Sequence, residues 1–135
     1  MGDDLHLPIA ADVDVVQARQ RGRELAAGAG FSTGDQTVIA AAISEIARNI
    51  LNYAKRGEIL LRVVTNGDHQ GLVVVARDQG PGIPDVARAL QDGYSTSGGL
   101  GLGLPGAKRL MDDFDVVSNV GQGTVVTMTK WRRLT

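Results

Sequence analysis

Apolar and polar positions along this chain follow two periods, and the change from one to the other separates helical from extended stretches. Between residues 35 and 54, Ile39, Ile43, Ile46 and Ile50 recur at spacings of three and four. At 100° per residue they form one stripe with Val38, Ala42 and Ala47 on its flanks, which predicts an amphipathic helix capped by Ser32 or Thr33. Glu45 and Asn49 are four apart, so they stack on one side of this helix at the margin of the stripe. A carboxylate and an amide are thereby aimed along the edge of the core. An earlier helix is predicted from Asp12, as its N-cap, to Ala27, ending at Gly28 or Gly30. Val13, Val16, Ala18 and Leu25 beside Arg19, Arg21 and Arg23 give it the character of an amphipathic cover.

The extended period begins with a short strand over residues 6–10. Residues 58–65 and 71–77 are rich in Val and Leu, and Asn66-Gly67-Asp68 between them is a hairpin signal, so this pair is expected in the middle of a sheet. Its second strand runs into Asp78-Gln79-Gly80-Pro81-Gly82. Residues 84–91 predict a short helix, and a further helix is expected from Leu104 to Met111, with Pro105 suited to its first turn. Residues 114–119 and 124–131 read as a closing hairpin around Gly121-Gln122-Gly123. The βαβ alternation of a doubly wound fold is missing, and the order predicts an α+β sandwich: a mainly antiparallel sheet with helices on one face.

A length of 135 residues fits one domain with a true hydrophobic core. The formal net charge of −1 gives no general attraction to nucleic acid or to an anionic membrane, and Lys130, Arg132 and Arg133 read as a solvated basic end. The absence of cysteine excludes disulfides, thiolate metal sites and thiol catalysis. Asp3 and Asp4 stand where a secretory signal needs positive charge, and no segment approaches the roughly 20 apolar residues of a membrane span. A cytoplasmic protein is expected. Ten of the 18 glycines lie between Gly80 and Gly123, which directs attention to the second half.

There, Ser95-Thr96-Ser97-Gly98-Gly99-Leu100-Gly101-Leu102-Gly103-Leu104-Pro105-Gly106 places five glycines among nine residues before a helical pattern. Such a run lets the backbone turn successive N–H groups toward an anion, and the following helix adds the positive end of its dipole. Two well-known phosphate loops fail here. Gly101-Leu102-Gly103-Leu104-Pro105-Gly106 fits GxGxxG but follows a polar loop rather than a strand. A Walker A loop needs Lys directly after its last glycine, and here Ala107 intervenes before Lys108, with Arg109 where a Ser or Thr ligand belongs. Asp78, at a strand end with Gly80 and Gly82 close behind, can accept from an adenine amino group while base and ribose lie against backbone. Gly80-Pro81-Gly82-Ile83 is equally an ordinary type II turn. Taken singly, Glu45 is a solvated helix residue and Asn49 a surface amide; their order in the chain with Asp78, the glycine run and Gly121-Gln122-Gly123-Thr124 favours a nucleotide site. His6 and His69 lack a second ligand and receive no role. Asp112, Asp113 and Asp115 read as a solvated helix end, and Trp131 as a packing residue of the last strand.

These boxes together resemble the ATP-binding domain shared by gyrase, histidine kinases and MutL, the GHKL superfamily with the Bergerat fold. Its N-box is similar to Glu45-Ile46-Ala47-Arg48-Asn49, its first glycine box to Asp78-Gln79-Gly80-Pro81-Gly82, and its second to Gly98-Gly99-Leu100-Gly101-Leu102-Gly103. Within the superfamily the chain resembles the small bacterial serine/threonine kinases of partner-switching pathways, of the RsbT type. The matching segments are Ser44-Glu45-Ile46-Ala47-Arg48-Asn49-Ile50, the run from Gly93-Tyr94-Ser95 through Pro105-Gly106, Lys108-Arg109-Leu110-Met111-Asp112 and Lys130-Trp131, nearly the whole chain.

The resemblance implies a two-layer α/β sandwich with a mainly antiparallel mixed sheet, and ATP and Mg2+ as cofactors. It implies Asn49 as a magnesium ligand, Glu45 as general base near the γ-phosphate, and Asp78 as reader of adenine assisted by Thr124. Residues 83–97 would form a lid in which Ser95, Thr96 and Ser97 meet the terminal phosphate. The N–H groups of Gly98, Gly99, Leu100, Gly101, Leu102 and Gly103 would hold the β- and γ-phosphates; Lys108 and Arg109 either add charge or lie on the helix surface. The implied partners are a STAS-domain antagonist as substrate and a PP2C-type phosphatase, with no nucleic acid and no membrane. The alternatives are an anti-sigma factor kinase of the RsbW or SpoIIAB type, which also binds a sigma factor, and a non-catalytic nucleotide-gated binding module, against which Glu45 and Asn49 argue together.

Overall fold

The isoleucine stripe organises the structure. In the computed structural model, which describes residues 4–82 and 104–134, Ile39, Ile43, Ile46 and Ile50 are all buried along one face of helix α2, Thr33–Tyr53. Ser32 is its N-cap, its hydroxyl accepting from the Asp35 N–H at 3.1 Å. The helix ends at Ala54, and Lys55 takes the left-handed conformation at φ +70°, which turns the chain into the sheet.

Helix α1, Asp12–Gly28, follows the opening strand β1, Leu5–Ile9. Two details correct the sequence reading. The N-cap is Ala11, not Asp12, and the acidic side chain that secures this end is Asp14, which accepts from the Ala10 and Ala11 N–H groups at 2.8 and 3.0 Å. The buried face runs through Val15, Ala18, Gly22 and Ala26, while Val13 and Val16 are exposed. Small residues win this face because α1 lies close to α2: a Cβ on Gly22 would collide with the side chain of Ile43.

Strands β2, Gly57–Asn66, and β3, His69–Asp78, pair in continuous antiparallel register from Gly57↔Asp78 to Asn66↔His69, closed by Gly67 at φ +64° and Asp68. Helix α3, Leu104–Leu110, carries Pro105 in its first turn, then β4, Asp113–Asn119, and β5, Gly123–Arg133, form the closing hairpin. The strand order is β1-β2-β3-β5-β4, every described pairing is antiparallel, and the β2–β3 hairpin occupies the interior as predicted. Ile9, Ile59, Leu61, Leu72, Val74, Val126 and Met128 meet the α2 isoleucines, Leu104 and Ala107 in one core. The fold is therefore α+β with the helices on one face of the sheet. Among the described residues no helix is long and apolar enough to cross a membrane. The predicted helix over 84–91 and the lid over 83–97 lie outside the described residues.

Candidate functional site

Strand periodicity fixes which side chains share the helix-covered face. Ala76 and Val126 are buried there, so two residues further along their strands Asp78 and Thr124 point the same way, and they are direct register partners. Register extends the row in both directions, to Gly57 on β2 and Ser118 on β4. Asp78, Thr124 and Ser118 thus form a polar edge at one end of the sheet. The Ser118 and Thr124 hydroxyls lie 2.8 Å apart, and Ser118 Oγ also donates to the Gly123 carbonyl at 3.2 Å.

Asp78 has its two oxygens in different situations. Oδ1 accepts from the Gly80 N–H at 2.9 Å, an Asx turn that orients the carboxylate. Oδ2 has no partner among the described residues and is the acceptor an amino group on a ligand would meet.

The neighbouring glycines are required by close approach. A Cβ on Gly80 would stand 2.6 Å from Ala54 Cβ, at the end of α2. Gly82, at φ +80°, has the conformation of the third position of a type II turn and packs on the Asn119 carbonyl, while the Gly121 N–H donates to the Pro81 carbonyl at 2.8 Å. Gly123, at φ +108°, leaves no room for a Cβ beside the Asp78 carbonyl. The turn reading and the site reading of Gly80-Pro81-Gly82 are thus compatible: the turn presents the carboxylate.

Helix α2 brings the second group of residues to the same end. Glu45 and Asn49 are half-buried and one turn apart, and Asn49 precedes Ala54 by roughly 7.5 Å of helix rise. Ala54 touches Gly80, so the end of α2 meets the Asp78 edge, with Asn49 five residues and Glu45 nine residues before that contact. Glu45 meets Arg48 at 3.6 Å, a surface pair that yields readily to another partner. Ser44, beside Glu45, is buried with its hydroxyl unpartnered. Burial also pushes the Tyr53 phenol above its ordinary value, so it stays neutral near pH 7.

Ser95, Thr96, Ser97, Gly98, Gly99, Leu100, Gly101, Leu102 and Gly103 lie outside the described residues. The helix that follows them is held firmly. Lys130 Nζ donates to the Leu110 carbonyl at 3.4 Å and approaches Asp112 at 3.6 Å, while Asp112 accepts from the Trp131 N–H at 2.7 Å and Asp113 from the Trp131 indole N–H at 2.6 Å. Asp112, Asp113 and Asp115 are exposed, as the solvated reading has them, and the first two also accept from Trp131. Trp131 also covers Gly71 on the neighbouring strand. His6 and His69 pair with Glu58 and Asp68 at 3.8 and 2.8 Å.

Sequence reasoning misses Ser118 and Gly57. The only local signal for Ser118 is its symmetric position opposite Thr124 across the Gly121-Gln122-Gly123 turn; Gly57 reaches the row through pairing with β3.

Comparison with known proteins adds an independent line. Residues 9–130 match the family described as histidine kinase-like ATPase domain. The chain is 50% identical over 133 residues to the serine/threonine-protein kinase RsbT of Bacillus subtilis (strain 168), spanning 98% of this chain and 100% of that protein. It is 31% identical over 99 residues to the anti-sigma F factor of Thermoanaerobacter sp. (strain X514), spanning 69% of this chain and 68% of that factor. A solved structure of the RsbU and RsbW domains of a Mycobacterium tuberculosis protein shares the fold, with a TM-score of 0.60 at 22% identity over 96% of this chain and 33% of that longer one.

Proposed function

We propose, from the premise that this chain belongs to the histidine kinase-like ATPase family and within it is a serine/threonine-protein kinase of the RsbT type, that it phosphorylates a STAS-domain antagonist and then activates a PP2C-type phosphatase. An ATP-using kinase of partner switching is the level at which its relatives agree; the two partners, and residues 1–135 as a single ATPase domain, are our reading. The observation that carries it is the match to a serine/threonine kinase from end to end, in a fold where the end of α2, the helix bearing Glu45 and Asn49, meets the Asp78–Thr124 edge.

In this reading Asp78 Oδ2 accepts from the adenine amino group, Thr124 adds its hydroxyl, and Gly80 and Gly82 leave space for base and ribose. The serine-threonine and glycine run from Ser95 to Gly103, outside the described residues, is assigned to the phosphates by the resemblance alone. Mg2+ fits the donors present. Among the described residues no three His, Asp or Glu side chains cluster as a metal cage, and a magnesium ion that keeps its waters and phosphate oxygens needs only one or two protein oxygens, such as the Asn49 amide. When bound, the ion neutralises charge on the phosphates. Glu45 accepts the proton of the substrate hydroxyl as its oxygen bonds to the γ-phosphorus and the bond to the ADP oxygen breaks.

The test mixes the protein with labelled ATP and Mg2+, a candidate STAS-domain protein and a candidate sigma factor, and scores transfer separately from complex formation. Transfer to the STAS protein without a stable sigma complex is expected. A second reading, an anti-sigma factor kinase, is favoured by the identity to anti-sigma F factors, and a stable complex with the sigma factor would establish it over ours.

A further inference from the structure

Ser118 belongs to none of the sequence boxes, yet its hydrogen bonds constrain what Thr124 can do. Register makes Thr124 the direct partner of Asp78 on one side and of Ser118 on the other, so the three side chains form one row across β3, β5 and β4. Direct antiparallel partners have Cβ atoms about 4.5–5.5 Å apart, which puts the Thr124 hydroxyl and the Asp78 carboxylate within reach of one ligand group. Thr124 is 7% exposed and Ser118 half-buried, so their neighbours rather than bulk water decide where the hydroxyl protons go.

Those neighbours allow one arrangement that uses every proton. Ser118 Oγ lies 3.2 Å from the Gly123 carbonyl, and toward a carbonyl a hydroxyl can only donate. A serine hydroxyl has a single proton. With that proton on the carbonyl, the 2.8 Å contact between the Ser118 and Thr124 hydroxyls is a hydrogen bond when Thr124 is the donor. The opposite sense, Ser118 donating to Thr124, leaves the carbonyl contact without a proton. The relay from Thr124 to Ser118 to the Gly123 carbonyl makes two hydrogen bonds from two protons, and such chains strengthen one another. Thr124 then has only lone pairs left to offer a ligand. Asp78 Oδ2 beside it is an acceptor as well.

We propose that Ser118 is a positioning residue that sets base specificity: by taking the Thr124 proton it makes the Asp78–Thr124 pair an all-acceptor reader, which selects a 6-amino purine over a 6-oxo purine. This deepens the ATP reading above and rests on it. The two protons of the amino group go to Asp78 Oδ2 and Thr124 Oγ1. A 6-oxo purine brings a third acceptor to the same place, with no proton among the three. Asp78 supplies the attraction for the amino group, and Ser118 removes the donor that would let an oxo group compete. Without Ser118, the Thr124 hydroxyl can rotate and donate to that oxygen.

The experiment titrates the full chain, with Mg2+ present, with ATP and with ITP, which share ribose and phosphates and differ at position 6 and the N1 proton of the base. Calorimetry should show wild type binding ATP at least tenfold more tightly than ITP. Ser118→Ala should weaken ATP about threefold and tighten ITP about threefold, the scale of one neutral hydrogen bond lost or gained, so that the preference falls at least fivefold. Ser118→Thr keeps the hydroxyl and should keep the preference within twofold of wild type. Thr124→Val removes the hydroxyl through which Ser118 acts, so adding Ser118→Ala to it should change the preference no further. A general loss of structure weakens both nucleotides alike and leaves their ratio unmoved. The proposal is overturned if Ser118→Ala leaves the ratio within twofold of wild type, whether or not both affinities fall, if Ser118→Thr loses the preference as Ser118→Ala does, or if the effects of Thr124→Val and Ser118→Ala add. Wild type that binds ATP and ITP equally would instead remove Asp78 and Thr124 as readers of the amino group, and wild type that binds neither would remove the ATP reading; this proposal falls with either.

Discussion

Asp78 has an observed role in the fold, through the Gly80 N–H, and a proposed role in the site, and the two can be separated. Replacement by Asn keeps an oxygen for the Gly80 N–H but can place an NH2 group where Oδ2 stands, so two donors face each other at the adenine amino group. Asp78→Asn should therefore melt within about 2 °C of wild type, as expected of a change that removes no packing, yet lose at least tenfold in ATP affinity by fluorescence titration; unchanged affinity would remove Asp78 from the site. Glu45 makes a different prediction, because its ion-pair partner among the described residues is the exposed Arg48. Glu45→Ala should bind ATP normally and lose roughly 100-fold or more in phosphotransfer, the usual scale of a general base, and full activity in a single-turnover assay would exclude that role. Ser44 is buried with an unpartnered hydroxyl, a group whose desolvation costs about 1–3 kcal/mol. Ser44→Ala should accordingly leave stability unchanged or raise it by about 1 kcal/mol, as read by urea unfolding.

At the scale of elements, what local chemistry decides was legible and what long-range pairing decides was not. The Ile39–Ile50 stripe and the Asn66-Gly67-Asp68 turn specify α2 and the β2–β3 hairpin without outside help, and both form as predicted. Helix α1 misleads because Val13 and Val16 have apolar side chains, whereas the close contact with α2 demands the small residues Ala18 and Gly22. Glu45, Asn49 and Asp78 were readable as boxes in chain order, but Ser118 and Gly57 join the site only through strand pairing. The aspartates after α3 are a similar case, since Trp131 reaches Asp112 and Asp113 across 19 and 18 residues of sequence. Asp112→Ala leaves the Trp131 N–H unpaired and removes a neighbour of Lys130. It should lower stability by about 0.5–1.5 kcal/mol in thermal melts, and a melting temperature equal to wild type would show that the latch is dispensable.

For the whole molecule, the sheet carries different side chains on its two faces. Strand order β1-β2-β3-β5-β4 places β3 at the centre and β5 next to it, so the strands that carry Asp78 and Thr124 on one face carry Arg77 and Val125 on the other. The arrangement makes nucleotide binding a property of the entire fold. The proposed site draws on α2, the β3 end and the β4–β5 hairpin, elements that separate on unfolding, so nucleotide bound there would stabilise the native state alone. At a concentration of ATP and Mg2+ 100 times the dissociation constant the gain is about 2.7 kcal/mol, which for a chain of this length raises the melting temperature by roughly 10 °C. Chelation of Mg2+ with EDTA should remove most of that rise, and Asn49→Ala should reproduce the effect of chelation without altering the melting temperature of the free protein. A rise that survives EDTA in full would show that nucleotide is held without the metal, and would withdraw Asn49 from the role of ligand.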